Sequence, residues 1–235
     1  MEILNQLSSQ KGDKTEISNK LVAEQCIANQ KFLSEIAIGL EDKDKKLQSD
    51  CIEVFTFVSE VKPEFIVPYV ENILPLLYSK ESKTRWEAVH TLSLIAEKIP
   101  DIVSSILPVL QTLVEKDKST IVRDYAMDTV ANYAKISAEA SEKPYELLKY
   151  ALELWGEKHA KQVFKGFNYV LDNCSDLKEE INLLVQPYLI ANKKIVAVEA
   201  KKIIKRIEKS INLHSNIIKQ FSISIACVRL AMLCF

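Results

Sequence analysis

The feature that most constrains this chain is a small residue that returns at a nearly constant interval. Cys51, Ala88, Ala126, Gly166 and Ala200 follow one another at steps of 37, 38, 40 and 34 residues. Four positions after each stands a bulky apolar residue: Phe55, Leu92, Val130, Val170 and Ile204. Three further on come Val58, Ile95, Tyr133, Asn173 and Ile207, of which only Asn173 breaks the pattern. Apolar residues spaced by three and four lie on one face of a helix. A helix that recurs at this period is the mark of a repeat array, in which stacking of neighbours makes one continuous core.

Between the copies the chain alternates charged turns with a second helix. After the turn Glu41-Asp42-Lys43-Asp44-Lys45-Lys46, a first helix (A) is expected over about 46–61. Pro63 opens the second helix (B), where its missing N–H costs nothing, while Pro68 and Pro75 should kink or divide it. The next copy places helix A over about 84–98, Pro100 at the start of helix B and Pro108 inside it. The one after has helix A over 120–136, a loop over 137–143 and helix B over 144–155. The expected layout is a frayed N-terminus at 1–14 and an array over 15–209. Its repeats fall at about 15–40, 41–79, 80–115, 116–155 and 156–190, with a final helix at 193–209. A non-repeat C-terminal tail follows at 210–235.

Composition narrows the class further. Four glycines suit an all-helical chain with short turns and could not build a phosphate-binding loop. The net charge of −1 conceals an acidic front, with 18 basic against 26 acidic residues in 1–157, and a basic back, with 11 against 6 in 158–209. Such a gradient can orient an encounter. The five cysteines form no CxxC pair, and Cys51 sits in the small column, where a reduced thiol acts as a small hydrophobe. That usage predicts a reducing, cytoplasmic compartment, and neither a secretory signal nor a membrane-spanning run is expected.

At Thr84-Arg85-Trp86-Glu87-Ala88 and Val122-Arg123-Asp124-Tyr125-Ala126 the chain resembles HEAT (armadillo-like) repeats. Their signature is an acidic turn residue, then Val-Arg and an alanine three positions later. Asp117, Val122, Arg123 and Ala126 match it in full. Ser79 stands in the acidic column one repeat earlier, and Gln48, Val163 and Ala197 replace the arginine. The Asp–Arg ladder of the family is therefore expected only in fragments. The resemblance implies an all-α fold, a right-handed α-solenoid (α–α superhelix) of about five HEAT-like two-helix repeats with helices B on the concave side.

No nucleotide-binding, zinc-protease or di-iron motif occurs, and His90, His159 and His214 lack any metal-ligand spacing. No catalytic residue, cofactor, metal or small-molecule substrate is expected. The resemblance points to a scaffold or adaptor that binds a protein or peptide partner on its concave face, with nucleic acid less favoured because most of the array is acidic. Candidate contact residues are Glu64, Glu71, Asn72, Gln111, Glu146 and Lys149 on helices B. Lys158, Lys161, Lys193 and Lys194 lie on the turns, where lysines recur as a cationic edge. The alternative is a DNA-binding enzyme similar to the HEAT-like alkylpurine DNA glycosylases, with Trp155 and Asp124 or Asp128 as its aromatic and its acid.

Overall fold

The computed structural model describes residues 2–210, and every regular element among them is helical. Residues 211–235, which hold nearly all of the expected tail, lie outside that range. The chain divides into two units, Met1–Asn173 and Cys174–Phe235.

In the first unit a 3-10 turn, Leu4–Gln6, is followed by α1 (Ser8–Lys11), α2 (Ile17–Ala28), α3 (Lys31–Gly39) and α4 (Lys45–Val61). The expected B helix after Pro63 is broken by its prolines into 3-10 turns, Pro63–Phe65, Val67–Tyr69 and Leu74–Tyr78, around the single turn α5 (Val70–Ile73). Then come α6 (Ser82–Ile95), α7 (Pro100–Lys116), α8 (Thr120–Ala134), α9 (Glu139–Trp155) and α10 (Ala160–Asn173). Helices α4, α6, α8 and α10 pack side by side in that order, and α7 and α9 pack against α8 and each other. Cys51, Ala88 and Ala126 are fully buried in this layer, with Phe55, Leu92, Val130 and Val170 beside them. Gly166 shows why the column must be small. A Cβ built there would lie 2.4 Å from Leu148 Cδ1 and 3.2 Å from Ala131 Cβ.

The turns repeat as closely as the helices do. The side chains of Asp42, Ser79 and Asp117 each accept from the backbone N–H two residues on, at 2.8, 3.2 and 2.8 Å. This Asx/Ser turn delivers the chain into the next A helix. Three residues ahead of Cys51, Ala88 and Ala126, a side chain donates to the end of the preceding turn or helix. Gln48 reaches Leu40 O at 2.6 Å, Arg85 reaches Ser79 O at 2.7 Å, and Arg123 reaches Asp117 O. Gln48, which replaces the arginine, keeps one of its hydrogen bonds to a backbone carbonyl but makes no Asp–Arg rung; the rung that forms is Arg85–Asp117. Asn173, the residue out of pattern, donates to Ala134 O at 2.9 Å, a carbonyl in the last turn of α8.

Two local expectations are overturned. The segment expected to fray at 1–14 is packed: Ile3, Leu4 and Leu7 are buried, and Ser8 N and Ser9 N donate to Asn19 Oδ1 (2.9 Å) and Asp50 Oδ2 (2.7 Å). Its 3-10 turn packs on α2 and α3 and α1 packs on α4, while the Ser9 N–H gives the buried Asp50 carboxylate a donor beside the one from Asn19 Nδ2. The loop expected over 137–143 is mostly helix, because α9 begins at Glu139. Ser137 Oγ accepts from Ala140 N, and Ser141 Oγ donates to Ala134 O at 2.7 Å, which holds the two helices together.

The second unit contains a 3-10 turn, Ser175–Leu177, then α11 (Lys178–Val185), a 3-10 turn Gln186–Ile190 and a helix over 194–210, here α12. Pro187 lies in the second of these turns, and α11 ends before it at Val185. Ile181, Val185, Val196, Ala200, Ile203 and Ile207 are buried.

Candidate functional site

Helices α7 and α9 leave a groove of about 550 Å³ between them. Ser104, Ser105, Leu107, Pro108 and Gln111 form one wall, and Glu142, Lys143, Glu146, Leu147 and Tyr150 the other. Leu107 and Leu147 are almost fully buried and give the groove an apolar floor. Glu142 and Glu146 stand exposed one helical turn apart on the rim. Pro108 withholds the N–H that Ser104 O would take in an unbroken helix, leaving that carbonyl without its helical donor beside the groove. Gln111 Nε2 donates to Glu115 Oε1 at 3.0 Å, and the same carboxylate is hydrogen-bonded to the Tyr150 phenol across from it. Partial burial, then the Glu115 charge, raise the Tyr150 pKa above the ordinary phenol value, so the phenol remains protonated at neutral pH.

The groove brings together two of the residues singled out from sequence, Gln111 and Glu146. A second depression, of about 620 Å³, collects Glu71 and Asn72 with Glu41, Lys45, Gln48 and Tyr78. Asn72 Nδ2 donates there to Glu41 Oε1 at 3.1 Å. Glu64 is exposed but borders neither depression. Lys149 lies 6.0 Å from the Tyr145 ring centroid, and Lys158 lies 5.0 Å from that of Trp155. Lys161 is exposed on α10 in the first unit; Lys193 and Lys194 are exposed at the start of α12 in the second. Sequence reasoning missed Glu142, which it placed in a loop, and Tyr150. The spacing of Glu142, Glu146 and Tyr150, each four residues from the last, was the signal for them.

The expected cationic edge is weaker than its sequence. Arg85 is bidentate to Asp117 (Nε–Oδ2 2.7 Å, Nη2–Oδ1 3.1 Å), Lys83 pairs with Glu53 at 3.0 Å, and Lys165 pairs with Asp128 at 2.7 Å. Arg123 is buried, and its guanidinium stacks 4.2 Å from the Trp155 ring centroid.

The residues of the enzymatic alternative are each engaged by other side chains or backbone of the fold. Trp155 is covered by Arg123 and donates its Nε1–H to Val114 O at 2.9 Å. Asp124 bonds His159 Nδ1 at 2.7 Å, and Asp128 bonds Lys165. His159 is itself buried and accepts from Arg123 Nε at Nε2, 3.0 Å away. One ring nitrogen must accept while the other donates, so Asp124 fixes the tautomer with its proton on Nδ1. The His159 ring thereby does for Arg123 what the Asp117 carboxylate does for Arg85. Among the described residues no group of three or more His, Cys, Asp or Glu is placed to hold a metal ion.

The chain matches no protein-family model and no curated protein sequence. Solved structures do resemble it. A designed armadillo repeat protein in complex with the peptide (KR)4 superposes with a TM-score of 0.68 at 16% identity, covering 88% of this chain and 98% of the other. Computationally designed armadillo repeat proteins for modular peptide recognition give 0.66 at 16% identity, over 87% and 98% of the two chains. An engineered protein gives 0.66 at 18% identity, over 88% and 96%. The fold is an armadillo-like helical-repeat solenoid. The all-α solenoid read from the small-residue column is therefore the architecture of this chain. Among the described residues, no helix is long and apolar enough to cross a membrane.

Proposed function

We propose that this chain is a non-enzymatic scaffold that binds an extended, basic segment of another protein along its B-helix face. The groove between α7 and α9 carries the proposal: an apolar floor of Leu107 and Leu147 under the exposed carboxylates Glu142 and Glu146. An aliphatic stem laid on that floor would keep its ammonium or guanidinium at the rim, as amphipathic cations do. Glu64, Glu71, Asn72, Gln111 and Lys149 complete the proposed contact set. Lys158 and Lys161 in the first unit, and Lys193 and Lys194 in the second, are proposed as further contacts for anionic stretches of the partner. The unpaired, buried thiols of Cys26 and Cys51 favour a reducing compartment, in keeping with a cytoplasmic protein. The DNA-glycosylase alternative is disfavoured, since Trp155, Asp124 and Asp128 are each committed to protein partners.

The test is fluorescence anisotropy with a labelled (KR)4 peptide, the sequence bound by one of the similar designed proteins. Saturable binding that falls when Glu142 and Glu146 are changed to Lys supports the proposal. Absence of binding at low salt, or equal affinity for parent and variant, rejects it.

A further inference from the structure

Helix α12 has two faces of opposite character. Val196, Ala200, Ile203 and Ile207 are buried. On the opposite side Lys201, Lys202, Lys205 and Lys209 are exposed, and Lys202, Lys205 and Lys209 border a shallow depression with Ser210. At 100° per residue these four lysines fall in one stripe, and Ile195 and Val198 continue it toward the N-terminal end. Those two aliphatic side chains are 51% and 42% exposed. Residues 194–210 hold six cations against two acids, and both acids, Glu199 and Glu208, flank the stripe instead of interrupting it. The Lys202 side chain remains 65% exposed even with its ammonium 2.7 Å from Glu199.

We infer that this stripe docks an acidic, leucine-bearing segment of a partner protein. Its carboxylates would meet Lys201, Lys202, Lys205 and Lys209, and its apolar side chains Ile195 and Val198. Charge complementarity selects an anionic partner, and the aliphatic end of the stripe selects protein over nucleic acid. A phosphate backbone offers Ile195 and Val198 nothing to pack on, and the stripe carries no aromatic ring on which a base could stack. Residues 211–235 supply no counter-charge, because they contain no acid. The inference rests on the protein-binding reading but concerns a different surface from the groove, so the two can fail separately.

The test uses the full chain and a labelled peptide of glutamates with leucine at every helical turn. The same peptide with glutamine for glutamate, and a short DNA duplex, serve as comparison probes. The parent should bind the acidic peptide, more weakly as salt rises, and bind the glutamine peptide poorly. Changing the four lysines to Glu should weaken binding by about ten-fold or more at low salt, where exposed charges act at longest range. Ile195→Ser with Val198→Ser should weaken it by a smaller factor that persists in high salt. Both variants should melt at the parent's temperature, and Glu142→Lys with Glu146→Lys should leave this binding unchanged. No binding of the acidic peptide by the parent overturns the inference, as does unaltered binding by the lysine variant. Tighter binding of DNA than of peptide would assign the stripe to nucleic acid. Salt-sensitive self-association lost in the lysine variant would assign it to a second copy of this chain. Either result overturns the inference as well.

Discussion

Gly166→Ala sets two effects of known size against each other. In the interior of a helix, alanine is favoured over glycine by about 1 kcal/mol. On that basis alone the substitution stabilises α10. The structure opposes it: the added methyl would stand 2.4 Å from Leu148 Cδ1, 3.2 Å from Leu148 Cδ2 and 3.2 Å from Ala131 Cβ. Leu148 and Ala131 are both fully buried. Leu148 can change rotamer only into space already filled, and the Ala131 methyl cannot rotate away, so the helices must separate by several tenths of an ångström. Overpacking of this kind costs about 1–3 kcal/mol. The net expectation is a loss of about 1 kcal/mol, read as a lower urea midpoint at unchanged slope in circular dichroism. In a Leu148→Ala background the added methyl finds room, and the same substitution should become neutral or stabilising, a coupling of about 1–2 kcal/mol. A raised midpoint for Gly166→Ala alone would refute the reasoning. It would mean that α10 does not approach α8 and α9 as closely as described and that the small-residue column is not a packing requirement here.

His159→Phe should leave the Nε–H of Arg123, a residue 4% exposed, without its acceptor and remove the Asp124 contact, while the other guanidinium nitrogens keep Asp117 O and Thr120 Oγ1. The expected loss is about 1–3 kcal/mol in a urea melt, because one buried donor of a charged group loses its acceptor; an unchanged midpoint would show that the network contributes nothing to stability. His90 stacks on Tyr125 with ring centroids 3.8 Å apart, and burial lowers its pKa from 6.5 to about 4. Between those values the unfolded chain binds the additional proton. His90 therefore costs no stability above pH 6.5, destabilises progressively as pH falls toward 4, and adds no further loss below that. Allowing for its partial exposure, the loss is on the order of 2 kcal/mol. His90→Phe should flatten this part of the stability–pH curve relative to the parent. Glu87, whose pKa burial raises, contributes the opposite slope in both proteins and cancels in the comparison. Parallel curves for the two would sink the His90 assignment.

The recurring column from Cys51 to Ala200 was enough to establish that this chain is a stack of helices, and which face of each is buried. Burial of apolar area is non-directional, so its period along the chain reports a face without needing to know the neighbour. The charged turns at Asp42, Ser79 and Asp117 were legible for a related reason, since their hydrogen bonds close within two residues. The polar partners were not. That His159 would serve as acceptor for Arg123, that Gln48 would do part of an arginine's work, and that Asn173 would cap α8 depended on side chains meeting across the stack. Hydrogen bonds are pairwise and directional, and no periodicity encodes which atom will stand opposite. The N-terminal arm went unread because its apolar residues acquire meaning only against α2 and α3, and its Ser9 N–H only against the buried carboxylate of Asp50. The groove follows the same rule. Glu142, Glu146 and Tyr150 could be placed on one helix face from sequence, but the space before them exists only because α7, with Pro108 in its wall, packs where it does.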